Sequence, residues 1–289
     1  MLNLDEAWDN YLCTRELSLT SFHRDKSRYA VHLQQYWHGK DIESIKTPDI
    51  ISFKQHLLRK GLNGQTVKLC LSQLRRIIRR AKIVGIYSGD VPYFEMPKVD
   101  SVRYRYLEKH EAKLLLTELK NISDLWHDIS LLSLNTGMRA GEIFGLKGEN
   151  INSHQKSIIL YNSKSGKQRI IPLNEAALSI LQSHKSLNSR LIFHQQDSPQ
   201  VPFYSVSKLF RLAVKSCGLN NGVSDNRNKV VFHTLRHTFA SWLVQDGTPI
   251  YVVSKLLGHG SIRVTERYAH LAPEQGRTAV DSIPSIVSY

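Results

Sequence analysis

Between Gly61 and Gly89 the chain contains no aspartate or glutamate, yet from Gln65 to Val84 its apolar residues repeat at helical spacing. Val67, Leu71, Leu74, Ile78 and Ala81 fall three and four apart, on one face of a long helix. Gly61, Asn63 and Gly64 break the chain before it, and Gly85 stands at a C-terminal cap position. Lys68, Arg75, Arg79 and Lys82 form a separate stripe, with Arg76 and Arg80 beside it. Like charges at i and i+4 repel and destabilise a helix. An unbalanced cationic stripe therefore implies an anionic partner, and we read these six residues as nucleic-acid contacts. The net charge of +14 over 289 residues points the same way.

The rest of the chain extends this helical pattern. Leu4 to Leu17 and Ser21 to Trp37 are amphipathic, and Thr47-Pro48 supplies an N-cap and first-turn pair for a helix to about Lys60. Residues 89–105 hold Gly89, Pro92 and Pro97 without a clear period and read as an interdomain linker. Beyond it, helices are expected at Glu111–Lys120, Leu125–Asn135, Glu175–His184, Ser205–Cys217, Thr234–Asp246, Ile250–Leu257 and Ile262–Ala269. Ile158–Tyr161 and Arg169–Leu173 are β-branched runs around Ser-Lys-Ser-Gly-Lys, which predicts a hairpin with Pro172 at a strand end or edge. The expected fold is mainly α with a small β-sheet or hairpin. It has two expected domains, a basic helical domain read as DNA-binding, 1–88, and an α+β domain with a C-terminal tail, 106–289, to which the resemblance described below assigns catalysis.

Several function classes are excluded or disfavoured. Cys13, Cys70 and Cys217 are scattered and odd in number, with no CxxC spacing, so neither a disulfide framework nor a zinc site is indicated. That usage fits a reducing cytosol. The acidic start MLNLDEAWDN is not a signal peptide, and no apolar run reaches membrane-span length. No phosphate-binding GxxxxGK[ST] loop occurs, so no use of ATP is indicated.

Four short segments could carry chemistry. In Asn135 to Leu146, Gly137 can turn the chain into a helix with Arg139 in its first turns. A cation there opposes the helix dipole and needs an anion or Glu142 as partner. Lys164 and Lys167 sit in the hairpin loop, and nothing local separates them. His233 and Arg236 share a helix face with His237, which implies a shared anionic ligand or a buried core histidine. Finally, Leu256 to His270 turns tightly around His259 through Gly258 and Gly260, with Tyr268 following on a short helix.

Together, and in this order, these segments resemble the tyrosine recombinase, or phage integrase, family, which shares its catalytic domain with type IB topoisomerases. The matches are Thr-Gly-x-Arg-x-x-Glu, a hairpin lysine, His-x-Leu-Arg-His, Leu-Gly-His and a late Tyr-x-His. They cover about Leu107 to Leu271, and the helical N-terminal half looks like the family's core-binding domain. The resemblance implies that Arg139 and Arg236 grip the scissile phosphate and that His233 is the acid/base beside it. It gives Lys164 the protonation of the leaving oxygen, with Lys167 as the alternative. His259 would donate to a phosphate oxygen, Glu142 would support the site, and Tyr268 would be the nucleophile. Ala140, Phe144 and Gly260 depart from the commoner motif residues without removing a catalytic group.

The residue types suit that reaction. Free tyrosine has a pKa near 10, so about 0.1% is ionised at pH 7 and its proton must leave as it attacks. Arginines can bind the non-bridging oxygens bidentately, and a lysine can protonate the departing 5′-oxygen. The cations take the electrostatic role of a metal, so no metal or other cofactor is expected. The resemblance further implies double-stranded DNA as partner, a tetramer on DNA, and accessory DNA-bending or directionality factors. The tail, with Ile283, Ile286 and Val287, would dock on a neighbouring protomer or in cis. HTLRHTFASWLVQDG and ERYAHLAPE look more like phage or prophage integrases than Xer-like dimer resolvases, although no additional N-terminal arm-binding domain is present in this sequence. A DNA-binding protein without catalysis and a relaxing topoisomerase are the rival readings.

Overall fold

A computed structural model describes residues 2–15, 22–99, 103–161, 168–185, 189–195, 198 and 200–273. It divides into two compact units, residues 1–101 and 102–289.

The first unit contains α1 (Leu4–Arg15), α2 (Phe22–Arg28), a π-helical stretch (Tyr29–Gln34), α3 (Gln35–Trp37), α4 (Thr47–Arg59) and α5 (Gly64–Ile83). Helix α5 starts where the Asn63 side chain accepts the Thr66 N–H at 2.9 Å. It ends before Gly85, whose φ is +79°. Between these caps it buries Val67, Cys70, Leu71, Leu74, Ile77, Ile78 and Ala81 against α1, α4 and the π-helical stretch. Fully burying one such aliphatic side chain contributes about 1.5–3 kcal/mol. A like-charge pair at i,i+4 costs only about 0.2–0.5 kcal/mol. The apolar stripe therefore decides that this strongly basic segment is helical. Gln73 also lies in the buried face, because its amide donates to the Asp25 carbonyl and accepts from Arg28.

Three local expectations change here. Thr47 is not the cap of α4: the extended Lys46 is, and its N–H is bonded to the Asp49 carboxylate at 2.9 Å. The Thr47 hydroxyl instead accepts the Tyr93 N–H. The second helix is not one continuous α-helix, since the π-helical stretch interrupts it. It lets Tyr29 stack on Trp8, with centroids 4.2 Å apart, while its hydroxyl donates to Asp5. Residues 89–99 are laid along this unit: Val91, Phe94 and Met96 pack on its core, and Glu95 pairs with Lys54 at 2.8 Å. Aperiodic spacing hides such packing from a helical or strand template.

The second unit contains α6 (Lys109–Ile122), α7 (Asp124–Thr136), α8 (Ala140–Phe144), β1 (Ile151–Asn152), β2 (Ser157–Tyr161), β3 (Gln168–Pro172), α9 (Glu175–His184), α10 (Lys208–Ser216), α11 (Phe232–Gln245) and α12 (Ile250–Leu257). The antiparallel sheet has the order β1-β2-β3, with Ile158 opposite Ile171. Pro172 ends the edge strand β3, where its missing N–H breaks no ladder. Strand β1 escaped the sequence reading because two residues carry no period. Helix α10 begins at Lys208 rather than Ser205, capped by the Ser207 hydroxyl. The expected helix over Ile262–Ala269 is instead two 3₁₀ turns, Ile262–Val264 and Glu266–Leu271.

Helix α7 runs through the core with Ile129 and Leu132 fully buried, and Trp126, Phe144, Phe203 and Phe232 meet edge to face around it. It stops at Gly137, φ +64°. A Cβ there would lie 2.4 Å from Phe239 Cδ1 and 2.9 Å from Leu257 Cδ2. Gly137→Ala should therefore destabilise the second unit by roughly 2–4 kcal/mol, combining backbone strain with overpacking. Gly222, φ +70°, has nothing within 4 Å of such an atom. Gly222→Ala should cost only about 1 kcal/mol. Urea denaturation of both variants checks the difference; equal losses would contradict it.

Candidate active site

Helix α11 buries a charge. Arg236 is 3% exposed, in a turn that also contains fully buried Leu235. Its Nη1 donates to the Gly137 carbonyl at 2.7 Å and its Nη2 to the Leu257 carbonyl at 2.8 Å. Those carbonyls lie at the C-terminal ends of α7 and α12, where the helix dipoles favour a cation by about 0.3–1 kcal/mol each and up to about 2 when partly buried. Desolvating a charge costs several kcal/mol, so the two helix ends offset part of that cost and an anion would offset more. Burial, then neighbouring Arg139, lowers the Arg236 pKa to about 9, which leaves it cationic at neutral pH. Two of the five guanidinium donors are used, leaving three without a partner among the described residues.

Arg139 lies one residue before α8, as its N-cap, with extended φ −72° and ψ 150°. It was expected inside the first turn; standing outside it relieves the conflict with the dipole. Glu142, at the third position of α8, accepts the Arg139 N–H at 2.8 Å and its Nη1 at 3.0 Å. The same carboxylate is gripped on both oxygens by Arg169 of β3, at 2.9 and 2.8 Å. Burial acts to raise the Glu142 pKa, but the bonds and charge of Arg169, then those of Arg139, outweigh it and hold the carboxyl below the usual range.

The third wall is the turn after α12. Gly258, φ +64°, closes that helix, and the His259 N–H returns to the Ser254 carbonyl. His259 Nδ1 is 2.7 Å from the Thr265 hydroxyl. Tyr268, on the second 3₁₀ turn, packs its ring among Ala240, Val244, Val253 and Leu257. Its hydroxyl is hydrogen-bonded to His237 Nδ1. Tyr268 thus has the packing of a core aromatic and a hydroxyl directed into a cationic site. Burial raises its pKa to about 12 despite Arg267 and Arg236. Desolvation, then Arg236 and Arg139, lowers His233 and His259 to about 4, although part of His233 reaches solvent. Burial, then His233, lowers His237 to about 3.

Arg139, Glu142, His233, Arg236, His259 and Tyr268 are thus brought together from three segments. Lys164 and Lys167 lie outside the described residues, as does the tail from 274 on. On α5 of the first unit, Lys68, Arg79 and Lys82 are exposed and Arg75, Arg76 and Arg80 half-buried. Arg76 is 3.5 Å from Asp25, and Lys82 is paired with Asp90 at 3.0 Å. Arg169 and His237 were not among the residues expected to act. Arg169 alternates with Ile171 on the inward side of β3, in step with buried Leu173 just beyond it, so a charge there needs a partner. His237 is four residues after His233, on one helix face. Among the described residues no group of three histidine, cysteine or acidic side chains could hold a metal.

The depressed histidines set a direction for stability against pH. Their folded pKa values, about 4 for His259 and about 3 for His237, lie below the ordinary value near 6.5. Between pH 6.5 and 4 the unfolded chain therefore binds protons that the folded chain refuses. Stability is full above about pH 6.5 and is lost as pH falls through that window. His237→Gln should make this slope shallower by up to about 1.4 kcal/mol per pH unit. Denaturation curves from pH 7 to 4 test this, and an unchanged slope would count against a buried neutral His237.

Comparison with known proteins adds an independent line. The chain matches the phage integrase family over residues 105–275 and the phage integrase N-terminal SAM-like domain over residues 6–82. It is 31% identical over 233 residues to the integrase of Salmonella phage P22, covering 75% of this chain and 56% of that protein's length. It is 28% identical to tyrosine recombinase XerD of Staphylococcus aureus over 270 residues, 90% of each chain. In fold it is similar to the Tn1549 transposon integrase in complex with circular intermediate DNA, with TM-score 0.76, 18% identity and coverage of 98% and 100%. A lambda integrase dimer bound to a COC′ core site gives TM-score 0.75 at 21% identity, covering 96% and 97%. No helix among the described residues is long and apolar enough to cross a membrane. The chain belongs to the phage integrase family, the tyrosine-type site-specific recombinases.

Proposed function

We propose that this recombinase cuts and rejoins double-stranded DNA through a 3′-phosphotyrosine on Tyr268. The convergence of Arg139, His233, Arg236, His259 and Tyr268 around the free donors of a buried guanidinium carries this reading. In the proposed step the Tyr268 oxygen attacks phosphorus, the bond to the 5′-oxygen breaks, and the phenol proton passes to neutral His233, the acid/base. Arg139 and Arg236 hold the non-bridging oxygens, with His259 donating to one of them. The negative phosphate raises the pKa of His233 and His259, which allows them to act as donors once DNA is bound. A hairpin lysine, Lys164 by motif position or else Lys167, protonates the leaving 5′-oxygen. Because the phosphoester is conserved, another strand's 5′-hydroxyl reverses the step without an energy source.

The first unit acts as the core-binding domain of residues 1–88, with Lys68, Arg75, Arg76, Arg79, Arg80 and Lys82 of α5 facing DNA phosphates and 89–105 joining it to the catalytic domain. A tetramer is the working assembly, in line with the lambda integrase tetramer bound to a Holliday junction, a fold relative at TM-score 0.73. Its protomers are linked by the apolar tail, accessory factors bend the DNA, and the site of action is the bacterial cytoplasm. The likeness to the phage P22 integrase favours a mobile element as the source. The likeness to XerD, which spans 90% of each chain, supports chromosome-dimer resolution as the second reading.

Duplexes nicked beside the cleavage point and captured by the protein from a randomised library provide the substrate. The wild type should form a covalent adduct that Tyr268→Phe does not, with DNA affinity unchanged to within about threefold. An adduct that survives Tyr268→Phe refutes the assignment. Arg236→Gln should slow adduct formation by roughly a hundred- to thousandfold, the usual cost of one preorganised donor. The α5 assignment is tested by salt. Lys68→Ala and Arg79→Ala should each reduce the slope of log K against log salt by about one phosphate contact, roughly 0.9. Slopes identical to wild type would remove α5 from the interface.

A further inference from the structure

Glu142 serves two guanidinium groups at once. Arg169 grips both oxygens at 2.9 and 2.8 Å, while Arg139 reaches one through its side chain and the other through its N–H. The Arg169 side chain is only 15% exposed, and its Nε is buried without a partner, so the two Nη groups fix where it lies. Its stem occupies the space that a Cβ on Gly258 would need: such an atom would fall 2.6 Å from both Cδ and Nη1 of Arg169. One side chain therefore touches both the start of α8, which carries Arg139, and the turn that carries His259.

We propose that Arg169 is a positioning residue for the recombination reaction, holding Glu142 so that Arg139 keeps its charge and place for the scissile phosphate. This rests on the reading of Arg139 as a phosphate-binding group. The charge arithmetic supports it. Arg139, Glu142 and Arg169 together carry +1. Without Arg169, Arg139 and Glu142 form a neutral pair, and the carboxylate is free to draw the second Nη of Arg139 into a two-pronged bond. Such bonds are the strongest that a carboxylate makes to a side chain. Lysine cannot replace Arg169, because a point charge does not hold both oxygens in one plane. The contact with Gly258 adds a second effect: it fixes the turn whose next residue, His259, lies beside the same phosphate.

The test is a mutant cycle on the full chain, using a nicked duplex captured by the wild type from a randomised library. Adduct rate at saturating DNA and DNA affinity are measured separately. Arg169→Gln should slow the adduct step by about 100-fold, the cost of roughly 1 Å of misplacement, with affinity nearly unchanged. Arg169→Lys should fall between it and the wild type. Glu142→Gln/Arg169→Gln should recover to the rate of Glu142→Gln alone, because the stray carboxylate is gone. A purely structural role would not produce that recovery. The proposal is overturned if Arg169→Gln matches the wild type, or if its loss persists undiminished in the double variant. If Arg169→Gln does not fold, the double variant, which buries neither charge, decides in the same way against Glu142→Gln. A wild type that forms no adduct, or an adduct that survives Tyr268→Phe, overturns the recombinase chemistry itself and this proposal with it.

Discussion

The second unit is organised around one buried cation. Arg236 projects from α11 to the carbonyl ends of α7 and α12, and both helices stop where glycine permits a left-handed backbone. A residue with a side chain at Gly137 would strike Phe239 and Leu257, and one at Gly258 would strike Arg169. The end of α7 therefore approaches α11 and α12 closely enough to share the guanidinium because Gly137 lacks a Cβ. Tyr268 depends on the same arrangement, since its ring packs on Leu257 and on the α11 residues that follow Arg236.

Desolvation, and after it charge balance, accounts for the protonation states. Arg139, Arg169, Arg236 and Arg267 act on the site, and Glu142 meets Arg139, Arg169 and Arg236. In a partly dry site, an excess of fixed cations expels protons from the groups that can release them. His233, His237 and His259 are accordingly neutral at physiological pH. The ring of Tyr268 is buried enough that desolvation outweighs those same cations, so its phenol keeps its proton. Without an anion the site is thus strongly cationic and holds a protonated phenol.

Much of this could be read in the sequence, for identifiable reasons. The α5 stripe, the hairpin strands and α11 follow from spacing, and the order of the short motifs located the site. The parts that could not be read depend on distant pairings. The sequence shows that Arg139 needs an anion and that Glu142 stands three residues on. It does not show that a strand residue 27 positions after Glu142 takes both oxygens. The inward alternation of Arg169 with Ile171 and Leu173 was the available clue. The final turn was read as α-helical because Ile262 to Ala269 has helical spacing. In the structure the His259–Thr265 bond and the Ser254 carbonyl tie the chain into 3₁₀ turns instead.

The hydrogen bond between Tyr268 and His237 bears on how the resting site is kept inactive. A neutral imidazole with a pKa of about 3 is too weak a base to remove a proton from a phenol at about 12. The contact therefore orients the hydroxyl without ionising it. In the proposed reaction, ionisation would be driven by the developing bond to phosphorus, which makes the phenol more acidic. On the proposed function, the cations that, after burial, help hold the histidines neutral in the free protein would draw in a phosphodiester, whose negative charge would let His233 and His259 take up protons. Substrate binding and protonation of the site would then be coupled by electrostatics already present in the free chain.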